Sequence, residues 1–214
     1  MGRVTGAAPG RRPVDEVHWL NQVHGTAVVT VAGPGTGTAG GAGRPGVTAV
    51  FAGPGDALVA DRPGVALTVL TADCASIALG SEEGIFGAVH AGWRGLGGGV
   101  VEAAVTAMRA LGATGVVGAL GPCIHPGCYE FSDPDLADVA RVLGDGVRGR
   151  TSGGGPALDV PAAVSAALAA GGADQVAGVE ACTACTAGYF SHRARGDRDR
   201  LALVVWSERA AVPR

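Results

Sequence analysis

Short apolar runs, several of them rich in β-branched residues, recur along most of the chain and predict β-strands. Turn residues such as those at Asp61, Pro63 and Gly64 separate neighbouring runs, as expected between strands. The runs that we interpret as strands are Ala27–Val31, Asp56–Ala60, Val65–Thr71, Val116–Leu120, Gln175–Glu180 and Leu201–Trp206.

Three further segments have the spacing or the capping residues of helices. The first opens at Gly97–Gly99, the second runs from Ser132 to about Leu143, and the third runs from Asp159 to Gly171. The apolar stripe of the first helix consists of Val101, Ala104, Val105, Met108 and Leu111. Because strands and helices do not alternate strictly, the pattern favours an α+β fold with mixed β-sheets.

Low-complexity composition marks two segments that we do not expect to pack. Residues 1–16 are polar and rich in glycine and proline, so we predict a flexible N-terminus followed by a single domain over residues 17–214. Gly33–Gly46 holds seven glycines in fourteen residues and predicts a mobile loop. Hydrophobic residues make up 47% of the chain, which is enough for a sizeable core.

The charge pattern argues against a nucleic-acid partner. The chain has no lysine and a formal net charge of -3, and Asp197 and Asp199 interleave with the arginines near the C-terminal end. No apolar run approaches the roughly 18 residues that a membrane helix needs, and no signal peptide is recognisable. Five cysteines, an odd number, fit a reducing compartment. We therefore expect a cytoplasmic protein without nucleic-acid or membrane partners, and a monomer by default.

The segments Cys74–Leu79 and Ile85–His90 predict a β-hairpin with a five-residue loop. If the hairpin is symmetric about Glu82, Cys74 lies directly opposite His90, and opposed side chains share a face with Cβ atoms about 4.5–5.5 Å apart. The other face would be apolar and would suit the core. One extra residue in the loop would break this register.

A cysteine and a histidine on one rigid platform allow three interpretations. They can bind a metal ion, form a nucleophilic Cys-His pair, or simply fill space. His24 adds little by itself, because a lone histidine in a loop is more often a hydrogen-bonded surface residue.

The remaining cysteines allow a second metal site. Cys182-Thr-Ala-Cys185 could join Cys123 and Cys128 in a four-cysteine zinc site. The spacing of Cys123 and Cys128 is loose for zinc, so we expect ordinary buried or partly exposed thiols at these positions.

Five motifs in fixed order resemble one protein family. They are Asn21-Gln22-Val23-His24-Gly25, Thr71-Ala72-Asp73-Cys74, Val89-His90-Ala91-Gly92-Trp93-Arg94-Gly95, Gly121-Pro122-Cys123-Ile124 and Tyr189-Phe190-Ser191-His192-Arg193. The set is similar to the laccase-domain family, also called the multicopper polyphenol oxidase or YfiH-like family. The resemblance extends from about Trp19 to Trp206.

The resemblance implies a fold, a metal site and an activity. The implied fold has mixed sheets in a sandwich-like core flanked by helices, similar to a bacterial toxin's Cys-His hydrolase domain. The implied metal ligands are His24, Cys74 and His90, with zinc bound or, in some members, copper. The implied activity is phosphorolysis of adenosine, inosine and methylthioadenosine, with deamination of adenosine, so the implied partners are a purine nucleoside and phosphate.

Further residues of the matching motifs are candidates for roles in this chemistry. Three protein ligands leave one position open, as in catalytic zinc sites. Asp73 joins Cys74 and His90 in the candidate catalytic set, either orienting a ligand histidine or acting as a general acid; it could also simply cap a turn. Arg94 and Arg193 are candidates to bind phosphate. His192 could protonate the leaving purine.

The sequence departs from the family pattern at several positions. The family's amino-terminal strand and helix have no counterpart before Val17, so we expect weakened substrate affinity. Ser76 replaces the usual proline, the paired arginine is split as Arg193-Ala194-Arg195, and only Arg200 of the usual Thr-Gly-Arg carries over.

Two other function classes stay open. One is a Cys-His amidase that edits peptidoglycan precursors, with Cys74 as the nucleophile. The other is a copper-dependent polyphenol oxidase, which five histidines make less favoured because a multicopper cluster needs more. Metal analysis would separate the classes best.

Overall fold

A computed structural model gives the architecture of residues 14–31, 38–39 and 47–208. Its strands are β1 (Val14–Asn21), β2 (Val28–Val31), β3 (Thr38–Ala39), β4 (Thr48–Pro54), β5 (Ala57–Ala60), β6 (Gly64–Thr71), β7 (Ala75–Gly80), β8 (Phe86–Ala91), β9 (Val117–Leu120), β10 (Arg148–Arg150), β11 (Pro156–Leu158), β12 (Asp174–Gly178) and β13 (Leu201–Trp206). Its α-helices are α1 (Trp93–Gly98), α2 (Val100–Ala110), α3 (Asp133–Leu143), α4 (Val160–Ala170) and α5 (His192–Arg195). None of these helices is long and apolar enough to cross a lipid bilayer.

Two large sheets, both mixed, organise the chain. A five-stranded sheet has the order β13-β6-β1-β4-β3, a six-stranded sheet has the order β12-β9-β7-β8-β5-β2, and β10 pairs with β11. In the first sheet β1 runs parallel to β4 and β6, whereas β13 runs antiparallel to β6. In the second, β7 runs antiparallel to β8 and β9, whereas β9 runs parallel to β12. The prediction of an α+β fold with mixed sheets is confirmed.

Side-chain alternation along the strands divides the core into two layers. Leu58 of β5 and Phe86 of β8 belong to a buried cluster shared with Leu67 of β6, so this layer fills the space between the two sheets. Val59 and Ile77 point the other way, into a cluster shared with the helices. The six-stranded sheet is therefore covered by helices on one face and by the five-stranded sheet on the other.

Local capping signals set the helix boundaries as predicted. Ser132 Oγ accepts a hydrogen bond from the Asp135 N–H at 3.2 Å, and Asp159 Oδ1 accepts one from the Ala162 N–H at 3.0 Å. The predicted apolar stripe of α2 is buried except at Leu111, which is half-buried. The first predicted helix, which opens at Gly97–Gly99, corresponds to two helices, α1 and α2, with a break between them at Gly99.

The N-terminal boundary requires a correction. β1 begins at Val14, inside the segment predicted to be flexible, and it lies at the centre of the five-stranded sheet. Residues 1–13 and 32 lie outside the described part of the chain, as do residues 33–37 and 40–46 of the predicted mobile loop. Within that loop, Thr38–Ala39 pairs with β4.

The β7–β8 hairpin forms, but its register differs from the prediction by two residues. Ser76, rather than Cys74, lies opposite His90. The turn begins one residue later than expected, with the Ser81 N–H bonded to the Ile85 carbonyl, because Gly84 supplies a φ of +82°. A two-residue shift preserves the face on which each side chain lies.

Candidate metal centre

Three side chains from separate segments converge at one end of the six-stranded sheet. His24 lies in the loop between β1 and β2, Cys74 directly precedes β7, and His90 is the second-last residue of β8. Their ligand atoms lie within 4.8 Å of one another, and His24 Nε2 is 3.9 Å from Cys74 Sγ. The structure therefore brings together the three residues that the family resemblance implied as metal ligands.

A fully buried carboxylate, Asp56, orients both histidines. Its Oδ1 accepts hydrogen bonds from His90 Nδ1 at 2.8 Å and from the His24 N–H at 2.9 Å, and its Oδ2 accepts one from the Gly25 N–H at 2.7 Å. Because Nδ1 of His90 is engaged, Nε2 is left to bind a metal. Asp56 was not among the site residues predicted from the sequence. The available signal was a single acidic residue directly before a continuously apolar strand.

Two residues of this region have an unusual backbone. His24 has a φ of +59° and Asp73 a φ of +96°, and they are the non-glycine residues with positive φ in the described part of the chain. Such conformations cost of order 1–3 kcal/mol and persist where surrounding contacts hold them. At His24 those contacts are the hydrogen bonds to Asp56.

Asp73 connects the candidate metal ligands to the C-terminal part of the chain. Its two carboxylate oxygens accept hydrogen bonds from Thr183 Oγ1 and from the Arg193 N–H, each at 2.7 Å. The carboxylate that orients the candidate ligand His90 is thus Asp56, whereas Asp73 has other partners. Asp73 instead fixes α5 beside Cys74.

Gly92 is required by the close approach of two candidate metal ligands. A Cβ atom at this position would lie 2.8 Å from His24 Cδ2 and 3.4 Å from Cys74 Sγ. Any side chain here would fill the space between the ligands. This gives a physical reason for the glycine in the motif that follows His90.

The protonation behaviour of the group suits a cation. Burial raises the pKa of Cys74 to about 11, and the carboxylates of Asp73 and Asp56 add to this effect, whereas Arg200 opposes it. Burial also lowers the pKa of His90, which outweighs the opposing hydrogen bond to Asp56. His90 is therefore a neutral imidazole near pH 7, and the partly buried thiol of Cys74 gains most from a positive partner. Two imidazole nitrogens and one sulfur fit a transition-metal ion with an open coordination position.

A cavity of about 510 Å³ opens over the candidate ligands. Besides the three ligands, Leu70, His192 and Arg200 line it. Gln22 also belongs to the wall, and its amide exchanges two hydrogen bonds with the Leu70 backbone, at 2.7 and 2.8 Å. A cavity of this size is typical of sites for small molecules.

The two arginines predicted to bind phosphate are not among the described residues that line this cavity. Arg94 stacks over Trp93 at 4.2 Å and faces a separate hollow. Arg193 lies 4.6 Å from the Tyr129 ring and donates to the Glu130 carbonyl at 3.0 Å. Of the predicted substrate residues, His192 lines the cavity, and Arg200 supplies the positive charge there.

The pKa of Tyr129 depends on both predicted arginines and on the candidate metal ligand Cys74. Burial raises its pKa to about 12, with the charge of Cys74 acting in the same direction and Arg193 and Arg94 acting against it. Both arginines and Cys74 therefore influence the pKa of the same residue, Tyr129.

Comparison with known proteins identifies the family. The family model described as multi-copper polyphenol oxidoreductase laccase matches residues 5–208. The chain is 41% identical over 198 residues to purine nucleoside phosphorylase ORF3 of Streptomyces griseus. The aligned region covers 90% of this chain and 76% of that protein.

Solved structures agree with this assignment. YlmD from Geobacillus stearothermophilus superposes with a TM-score of 0.75 at 28% identity, covering 91% of this chain and 74% of that chain. Protein NMB0706 of Neisseria meningitidis superposes with a TM-score of 0.72 at 28% identity, covering 92% and 75% respectively. The resemblance seen in the sequence motifs is confirmed, and the chain belongs to the multi-copper polyphenol oxidoreductase laccase family.

Proposed function

We propose that this protein is a zinc-dependent purine nucleoside phosphorylase that acts on adenosine, inosine and methylthioadenosine, with adenosine deaminase as a second activity. The observation that carries the proposal is the convergence of His24, Cys74 and His90 on a cavity that also contains Arg200. The name of the Streptomyces griseus relative supports the same reaction class.

The donor set favours zinc at this position. His24 Nε2, Cys74 Sγ and His90 Nε2 would hold the ion, and Asp56 keeps His90 in the required tautomer. When bound, zinc would supply Lewis-acid polarisation of a substrate oxygen and would lower the pKa of a water molecule. The same donors also bind copper, so metal analysis belongs to the test.

Phosphorolysis requires that phosphate be held beside the ribose. An oxygen of phosphate forms a bond to C1′ while the bond from C1′ to the purine nitrogen breaks, and the base leaves with the electron pair and takes up a proton. We propose Arg200 as the phosphate-binding residue, because its Nη1 is held by the Asp197 and Asp199 carbonyls at 2.9 and 3.0 Å while its side chain lines the cavity. We propose His192 as the proton donor, because it lines the same cavity.

Arg94 and Arg193 are the alternative phosphate ligands. Arg193 lies 4.6 Å from the Tyr129 ring, and the charges of Arg193 and Arg94 both act to lower the pKa of Tyr129, so both charges would attract an anion bound there. Asp73 has better support as a positioning residue than as a general acid, because both of its oxygens already accept hydrogen bonds.

The Cys-His amidase is less well supported by the geometry. A nucleophilic cysteine needs its thiolate near neutral pH, and burial raises the pKa of Cys74 to about 11. Its contact with His24 is long, at 3.9 Å. The arrangement favours a metal ligand over a free nucleophile.

Chromatography of the reaction products tests the proposal. Zinc-loaded protein is incubated with adenosine, with and without phosphate, and assayed for adenine, ribose 1-phosphate and inosine. We expect adenine and ribose 1-phosphate only with phosphate, and inosine in both cases. Zinc content should be measured in parallel, and Cys74→Ala and His90→Ala should lose both the cavity zinc and the activity.

Two outcomes would contradict the proposal. If adenosine yields neither free base nor inosine with zinc-loaded protein, the nucleoside activity is wrong and the amidase becomes the leading candidate. If Cys74→Ala and His90→Ala keep full zinc content at the cavity, these residues are not the ligands. Cys123→Ala is the matched control, because this cysteine is not among the candidate ligands.

A further inference from the structure

A second group of cysteines lies outside the cavity. Cys128 ends the 3₁₀ turn Pro126–Cys128, and Cys182 and Cys185 lie in the segment between β12 and α5. Their three sulfur atoms lie within 4.8 Å of one another. The sequence favours ordinary buried or partly exposed thiols at these positions, with a four-cysteine zinc site that includes Cys123 as the alternative. The structure gathers three of the four and leaves Cys123 out of the group.

The segment around Cys182 is arranged to stabilise a negatively charged sulfur. The His125 N–H donates to Cys182 Sγ at 3.4 Å, and the backbone N–H groups of Ala184 and Cys185 act on the same sulfur. Backbone N–H groups that donate to a cysteine sulfur are outer contacts of the kind that orient a metal ligand. These hydrogen bonds to Cys182 Sγ come from the backbone, so they are a second observation, independent of the short distances between the three sulfur atoms.

We infer that Cys128, Cys182 and Cys185 form a second zinc site, in which the metal joins two segments of the chain. Zinc–thiolate bonds of about 2.3 Å in a tetrahedral site place neighbouring sulfurs about 3.8 Å apart, so a small contraction of the observed group suffices. Binding converts each thiol to a thiolate and releases its proton. Cys185 is exposed, so a water molecule can complete the coordination from the solvent side.

The proposed zinc would stabilise the segment that completes the cavity. Residues 179–191 contain no helix or strand in the described structure, yet they lead directly into α5, which carries His192. Thr183, next to Cys182, donates to Asp73 beside the first metal centre. A metal that joins Cys128 to Cys182 and Cys185 would anchor this segment to the turn at Pro126–Cys128.

Zinc stoichiometry in paired variants tests the inference without reference to activity. Cys74→Ala removes a ligand of the cavity site, and Cys185→Ser removes an exposed ligand of the second site, so neither change should prevent folding. We expect about two zinc ions per chain in the unmodified protein, one in each single variant and none in the double variant. Replacement of zinc by Co²⁺ in Cys74→Ala should give sulfur-to-cobalt absorption bands. These bands should disappear in the double variant that also carries Cys185→Ser.

Three results would overturn the inference. They are an unchanged zinc content in Cys185→Ser, a Cys74→Ala protein without zinc, and a disulfide in place of the metal. The disulfide would appear as two fewer free thiols in the unreduced Cys74→Ala protein. Cys123→Ala serves as the control, because it removes a thiol outside both groups and should retain both zinc ions.

Discussion

His90 Nδ1 lies 2.8 Å from Asp56 Oδ1, and this contact joins one candidate metal ligand to the turn that carries another. The same carboxylate binds the backbone N–H groups of His24 and Gly25. Asp56 is fully buried, so its charge is balanced by these donors rather than by water. A single residue therefore fixes the ring of His90 and the left-handed backbone of His24.

Asp56→Asn should weaken metal binding without removing a ligand. The amide keeps the size of the carboxylate but accepts more weakly and can misorient the His90 ring. Loss of such a supporting contact typically costs 10–100-fold in metal affinity, and we expect a decrease of about that size. Competition with a zinc chelator measures it. Asp61→Asn, at an exposed turn, is the control, and equal affinities in the two variants would show that Asp56 does not support the site.

Gly92→Ala should displace His24 from the metal centre. The added methyl group would lie 2.8 Å from His24 Cδ2, closer than carbon atoms approach without a shift. We expect loss of most of the zinc bound at the cavity, measured in the Cys185→Ser background so that only this site is counted. Gly80→Ala is the matched control, since nothing lies within 4 Å of its added carbon. Retention of zinc in Gly92→Ala would mean that His24 is not a ligand.

Glu83→Gln should reduce stability in a pH-dependent way. Hydrogen bonds from Thr114 lower the pKa of Glu83 from 4.5 to about 2. Because the folded-state pKa is depressed, the carboxylate stabilises the protein above about pH 4.5, and this contribution disappears as the pH falls towards 2. Urea unfolding of both proteins from pH 7 to pH 2.5 measures the difference, which should shrink below pH 4.5. A difference that stays constant over this range, or that Glu82→Gln reproduces, would contradict the assignment.

Local signals in the sequence were sufficient to locate three helices. Ser132 and Asp159 cap their helices through their own side chains. The first residues of α3 and α4 can therefore be predicted from residues that are close in the sequence. The strand Val14–Asn21 was missed because its place depends on pairing with β4 and β6, which are distant in sequence. Non-local pairing of this kind leaves no local pattern.

The candidate site was only partly predictable for the same reason. The grouping of His24, Cys74 and His90 came from the motif resemblance. The hairpin register that had supported it was displaced by the turn at Gly84. Asp56 was missed because its partners are backbone N–H groups of another loop, and such partners appear only once the chain is folded.

Arg200→Ala should separate the two proposed activities. Phosphorolysis must hold a free phosphate dianion, whereas deamination needs none, so the loss of a guanidinium in the cavity should affect phosphorolysis selectively. A charge-assisted hydrogen bond contributes about 1.5–3 kcal/mol, which corresponds to a rise of about 10–100-fold in the KM for phosphate. The rate of inosine formation without phosphate should change little. Arg193→Ala is assayed beside it, because its guanidinium covers Tyr129 and binds the Glu130 carbonyl instead of lining the cavity. A selective loss of phosphorolysis in Arg193→Ala rather than in Arg200→Ala would place the phosphate beside Tyr129. An equal loss of both activities in Arg200→Ala would show that this arginine maintains the cavity and does not bind phosphate.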